Sequence, residues 1–147
     1  MNPKTFIFIG RSGCGKGTQA ELLKKYLGDT TPQAGIFYLE TGKRFRDFIT
    51  ETHATATRAK KYMEESKRQP DFLAVWMWSH VLVEELTAEA DEAKHWVIDG
   101  TPRSLPEANV LDTAMQFYGR GKAYVVHLNV SRTWSEERLR GRKRADD

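Results

Sequence analysis

At 147 residues, with 39% hydrophobic and 29% charged side chains, the chain has the make-up of one soluble globular domain with enough apolar residues for a core. No apolar run approaches the ~20 residues that cross a bilayer, and Met1-Asn2-Pro3-Lys4 passes directly into a strand pattern, so neither a membrane partner nor a secretory signal is expected. The net charge is +3, and the one cysteine, Cys14, excludes an intrachain disulfide or a cysteine-based zinc site and suits a reducing cytoplasm.

The first predicted element is a buried strand over residues 5–9, Thr-Phe-Ile-Phe-Ile. Gly10-Arg11-Ser12-Gly13-Cys14-Gly15-Lys16-Gly17-Thr18 follows and runs into apolar helical spacing over 16–27. Strand, glycine-rich loop and helix start in that order make a phosphate cradle. Backbone N–H groups of Gly10, Ser12, Gly13, Cys14, Gly15 and Gly17 can converge on one anion, the helix dipole adds positive potential, and Lys16 reaches outer phosphates. ATP binding is therefore expected, with Cys14 as a small spacer. The residue after the lysine is usually a Ser or Thr that ligates Mg²⁺; here it is Gly17, with Thr18 one step later.

A second strand is predicted over 35–39, and helices over 43–52, 55–67 and 71–90. At the end of that strand comes Glu40-Thr41-Gly42-Lys43-Arg44-Phe45-Arg46, whose forked guanidinium suits two-point contact with a phosphate. Lys67-Arg68-Gln69-Pro70-Asp71 turns into helix 71–90, which is apolar almost all round and reads as a core helix with His80 packed inside. Strand 95–98 ends in Val97-Ile98-Asp99-Gly100-Thr101-Pro102-Arg103-Ser104-Leu105-Pro106-Glu107-Ala108, and helix 104–118 follows. Asp99, at a strand end beside the phosphate loop, is suited to hold Mg²⁺ or its waters. The last elements are strand 123–130 and helix 132–141, leading to Glu137-Arg138-Leu139-Arg140-Gly141-Arg142-Lys143-Arg144-Ala145-Asp146-Asp147. That basic cluster suits the phosphates of a small nucleotide better than a nucleic acid. Strands alternating with helices imply a three-layer α/β fold, a parallel sheet with helices on both faces and ligands at the strands' carboxyl ends.

The Gly-Lys-Gly-Thr loop, the Thr41-Gly42 motif, the Asp99–Arg103 signature and the arginine-rich end together resemble the adenylate kinase family of nucleoside monophosphate kinases, in its short-lid form. The resemblance implies a single P-loop domain over 1–147, with a core of about 1–40 and 91–139. It also implies a helical insert binding the monophosphate at about 41–70 and a lid stub at about 140–147. The implied reaction moves the γ-phosphoryl group of ATP·Mg²⁺ to a monophosphate, AMP by resemblance. Thr41, Lys67, the backbone around Gln69 and Glu107 would face the acceptor base, Arg46 and Arg103 its phosphate, and Gly42 and Gly100 would belong to the same acceptor site. Lys16, Arg103, Arg138, Arg142 and Arg144 would be catalytic, with Arg138 also against the donor base, and Thr18 with Asp99 would hold Mg²⁺ through water.

Several positions depart from the family pattern: Ser12 for proline, Lys43 for an acid, Arg68-Gln69 for a Leu-Val pair (a more polar pocket wall), Thr101 for phenylalanine and Glu107 for the glutamine that pairs with adenine. An ionised glutamate only accepts hydrogen bonds, which suits guanine or the amino group of cytosine better than the bare N1 of adenine. The family also continues with a helix carrying a further arginine, a fifth strand and a last helix that the 147 residues do not include. Two alternatives follow: a nucleotide-binding protein with little turnover, or a P-loop kinase of another small acceptor. Without a fifth strand, residues 123–130 would be an apolar edge open to self-association.

Overall fold

The computed structural model describes residues 3–142. In chain order the elements are β1 (Thr5–Ile9), α1 (Lys16–Thr30), β2 (Ile36–Glu40), α2 (Thr41–Phe48), α3 (Ala54–Glu64) and α4 (Asp71–Glu85). A 3₁₀ turn (Glu89–Ala93) then precedes β3 (His95–Asp99), α5 (Leu105–Phe117), β4 (Tyr124–His127) and α6 (Arg132–Arg142). The four strands form one parallel sheet in the order β2-β3-β1-β4. Parallel neighbours need crossovers, and helices supply them, so the expected α/β layering is what the chain adopts.

β3 lies between two strands and is buried at every residue, which its apolar His-Trp-Val-Ile run permits on both faces. On one face Trp96, Ile98, Ile7, Phe37 and Leu39 pack against Trp78, Val81 and Leu82 of α4 and Leu111 of α5. On the other, Phe8 and Val97 pack against Ala20 and Leu27 of α1. A third cluster, Phe45, Phe48, Ala56, Ala59, Leu73 and Met77, joins α2, α3 and the start of α4 away from the sheet. Residues 41–64 thus carry a small core of their own, tied back by the Arg44–Glu85 ion pair between α2 and α4.

The register positions the site. Glu40 lies opposite Asp99, and Asp99 opposite Phe8, so β1, β2 and β3 end level with one another. The loop after β1, the start of α2 and the turn after β3 therefore open at one edge. At the other edge Arg120 is buried with its guanidinium over Trp96, and it donates to Thr5 Oγ1 (3.2 Å), the Glu92 carbonyl (2.9 Å) and the Lys4 carbonyl (3.2 Å).

Three expectations need correction. The helix predicted over 71–90 stops at Glu85, because the Asp91 carboxylate takes the N–H groups of Thr87 and Ala88 (both 3.0 Å) and turns the chain into the 3₁₀ segment. Nor is that helix buried all round: Phe72, Trp76 and Val83 are exposed, and His80 is an exposed residue stacked on Trp76 (5.4 Å) and paired with Glu84 (3.1 Å), not a packed one. The strand predicted over 123–130 spans only Tyr124–His127, because its partner β1 ends at Ile9, whose carbonyl takes the Leu128 N–H as the last bond (2.9 Å).

Candidate active site

The loop after β1 is shaped by two glycines. Gly10 (φ +147°) and Gly13 (φ +78°) hold backbone conformations that side chains resist. Both are also crowded: a Cβ on Gly10 would lie 2.8 Å from Cys14 Sγ and from the Leu128 carbonyl oxygen, and one on Gly13 only 2.6 Å from the Ser135 carbonyl oxygen. The loop is thus clamped between β4 and α6, and Cys14 is buried as its filler, as expected. Lys16 Nζ folds over the loop and donates to the carbonyls of Gly10 (2.9 Å) and Arg11 (3.0 Å). Gly15 caps α1 and Gly17 lies in its first turn, so the N–H groups there form the helix's positive end.

Asp99 ends β3 beside this loop; a Cβ on Gly17 would stand 3.6 Å from its Oδ2. Burial pushes the Asp99 carboxyl above the ordinary carboxylate range, and the Glu40 carboxylate pushes the same way, against the pull of Lys16, Arg103 and Arg46. Three cations and two carboxylates therefore share one end of the sheet. Arg46 donates to Glu40 Oε1 (2.8 Å), and its Nη1 would be 3.3 Å from a Cβ on Gly42. Arg103 Nε donates to the Gly100 carbonyl (2.7 Å), with an Nη2 that would be 3.2 Å from a Cβ on Gly100. Both glycines leave room for a guanidinium. A desolvated carboxylate among three cations fits a Mg²⁺ ion that keeps most of its waters. Among the described residues no cluster of three or more His, Cys, Asp or Glu could hold a metal by itself. Thr18 is exposed in the first turn of α1.

A cavity adjoins the cations, lined by Thr41, Phe45, Gln69, Thr101, Arg103 and Glu107, among others. Of the expected acceptor residues, Thr41, Gln69, Gly100, Arg103 and Glu107 meet there. Lys67 does not: it is paired with Glu65 (2.6 Å), and its neighbour Arg68 lines the cavity in its place. Glu107 is buried, accepting from the Thr101 hydroxyl and the Arg103 N–H (2.6 Å), while Ser104 caps α5 by accepting from the Glu107 N–H (3.2 Å).

At the loop's other side Arg138 stacks on Trp134 (4.8 Å), and a Cβ on Gly15 would lie 4.0 Å from the Trp134 ring. Trp134 is an aromatic platform beside the phosphate loop that sequence reading missed; its spacing of four from Arg138 on one helix was the available signal. Phe45 was likewise unassigned. Arg142 ends α6, and Arg144 with Asp146 and Asp147 lies outside the described residues.

The family model described as adenylate kinase matches residues 8–147. The chain belongs to the adenylate kinase family. That family is one of nucleoside monophosphate kinases, phosphotransferases working between nucleotides. The chain is 35% identical to adenylate kinase 1 of Synechocystis sp. over 144 residues, which is 98% of this chain and 71% of that protein. It is 34% identical to the adenylate kinase of Carboxydothermus hydrogenoformans (93% of this chain, 58% of that one) and 33% identical to adenylate kinase 1 of Nostoc sp. (96% and 70%). The chain thus spans between 58% and 71% of the length of these adenylate kinases.

Proposed function

We propose that the chain transfers the γ-phosphoryl group of ATP to AMP, giving two molecules of ADP. The observation that carries this reading is the shared edge where β1 and β3 end. Lys16, Arg46, Arg103 and Asp99 converge there between a phosphate loop and a separate cavity. The loop N–H groups and Lys16 hold the β- and γ-phosphates, which requires Lys16 to leave the Gly10 and Arg11 carbonyls. Arg46 and Arg103 hold the acceptor phosphate, whose oxygen attacks the γ-phosphorus as the bond to the β–γ bridging oxygen breaks. Such a transfer depends on positioning and charge neutralisation more than on a base. Mg²⁺ would be held through water by Asp99 and Thr18 and would neutralise charge on the β- and γ-oxygens. The helical segment of about 41–70 serves as the acceptor-binding unit, Arg138 faces the donor nucleotide, and Arg142 and Arg144 belong to a short lid of about 140–147. The cytoplasm is its setting. Among the described residues no helix is long and apolar enough to cross a membrane.

The test is incubation with ATP, Mg²⁺ and each of AMP, GMP, CMP and UMP while following diphosphate formation. Product from a monophosphate, reduced about 10²-fold or more in Lys16→Ala, is the expected result. ATP binding without product from any acceptor would favour the reading of a nucleotide-binding protein with little turnover. Turnover of a non-nucleotide acceptor alone would favour the other kinase reading.

We also propose that β4 pairs with β4 of a second copy. It is the outer strand of the sheet, Tyr124 through His127 are all exposed, and a two-fold antiparallel pairing would satisfy both open edges at once.

A further inference from the structure

We propose that the acceptor cavity reads guanine, so that GMP is phosphorylated as well as AMP and at a kcat/KM that matches or exceeds it. The inference rests on the reading of that cavity as the acceptor-base site. It comes from the hydrogen-bonding polarity of the wall. Glu107 is 1% exposed, and its two oxygens already accept from the Thr101 hydroxyl and the Arg103 N–H. A carboxylate offers about four acceptor sites, so acceptor capacity is left on both oxygens and no donor is present.

Gln69 adds a second acceptor. Its side chain is buried (8% exposed) and its Nε2 donates to the Ala59 carbonyl (2.8 Å). Because a carbonyl can only accept, that bond fixes which end of the amide is nitrogen. Oε1 is then left buried with no hydrogen-bond partner among the described residues, on a side chain that lines the same cavity. An unpaired buried acceptor is costly and calls for a donor.

The hydroxyls do not restore the balance. Thr41 donates to the Asp99 carbonyl (3.3 Å) and Thr101 to Glu107, so neither proton is left for a base. The wall is therefore lined by two residues with acceptor capacity to spare, Glu107 and Gln69, with Phe45 and Ala74 as apolar sides and Arg68 and Arg103 as cations. Adenine and cytosine each place a bare ring nitrogen beside their amino group, and that lone pair would meet an acceptor. Uracil has one N–H between two carbonyls. Guanine has adjacent N1–H and N2–H₂ donors, with its O6 acceptor left for a cation such as Arg68.

Glu107→Gln is the nearly isosteric test, because it replaces one acceptor by a donor. The expected result is a kcat/KM ratio, GMP over AMP, of at least one in the natural chain, falling by about tenfold or more in the variant. Thermal melts check that the variant folds. Gln69→Leu, which removes the second acceptor elsewhere in the wall, should lower the same ratio. Calorimetric Kd values for GMP and AMP give the ratio independently of turnover. AMP turnover with a ratio that neither variant moves would overturn the guanine reading and leave the kinase reading standing. Failure of both AMP and GMP to bind would overturn the acceptor-site reading itself, and this inference with it.

Discussion

Asp99 is a carboxyl that folding desolvates, and the three cations around it only partly offset the penalty. Its folded pKa lies above its unfolded one, so the folded chain binds that proton more tightly. The stability linked to it is present at low pH and is lost as pH rises through the raised value. Asp99→Asn is therefore expected to melt higher than the natural chain by a margin that opens as pH rises above about 4 and then levels off, in melts without nucleotide. The same variant should lose phosphoryl transfer on the order of 10²-fold, since the carboxylate that would hold Mg²⁺ through water is gone. Unequal visibility of such residues in the sequence has a physical basis. Lys16 and Asp99 stand in local patterns whose geometry the backbone dictates. Gln69, which the resemblance placed at the base, became interpretable only when Ala59 was seen to take its N–H. For Trp134 the spacing from Arg138 marked a shared helix face and nothing more, because its nearness to Gly15 is made by the packing of α6 on the loop.

Among the elements, α6 constrains the phosphate loop from outside the sheet. The Ser135 carbonyl and Leu139 press on Gly13, so the phosphate loop keeps its shape through contact with a helix more than a hundred residues away in sequence. Gly13→Ala combines a left-handed backbone with a 2.6 Å approach to a carbonyl that cannot yield without moving the helix. A loss of about 1–3 kcal/mol is expected, seen as a melting temperature lower by about 2–4 °C for each kcal/mol. An unchanged melt would mean that α6 does not bear on the loop. Element types were legible throughout, since apolar runs and helical periodicity differ sharply. Element ends were less so: α4 stops where Asp91 captures two backbone N–H groups, and β4 stops where β1 runs out.

At the scale of the molecule, the sheet is covered by α1, α4 and α5 on its faces, and among the described residues nothing pairs with the outer edge of β4, where Val125 is 59% exposed. If a second copy fills that edge, Val125→Lys should shift the chain from dimer to monomer in sedimentation, because a charge on the strand disfavours edge pairing. A natural chain that stays monomeric at about 100 μM would end the self-association proposal. What the sequence determined by itself was the alternation of strands and helices, the phosphate loop with Lys16, and the acid and arginine at the end of β3. Each is set by short-range periodicity or by residues adjacent in the chain. Only the tertiary structure decided that β1, β2 and β3 end level, that Arg46, Arg103 and Asp99 share one field, and that Gln69 and Glu107 line one cavity. Those facts depend on strand register and on which buried groups find partners across tens of residues. No local pattern encodes them.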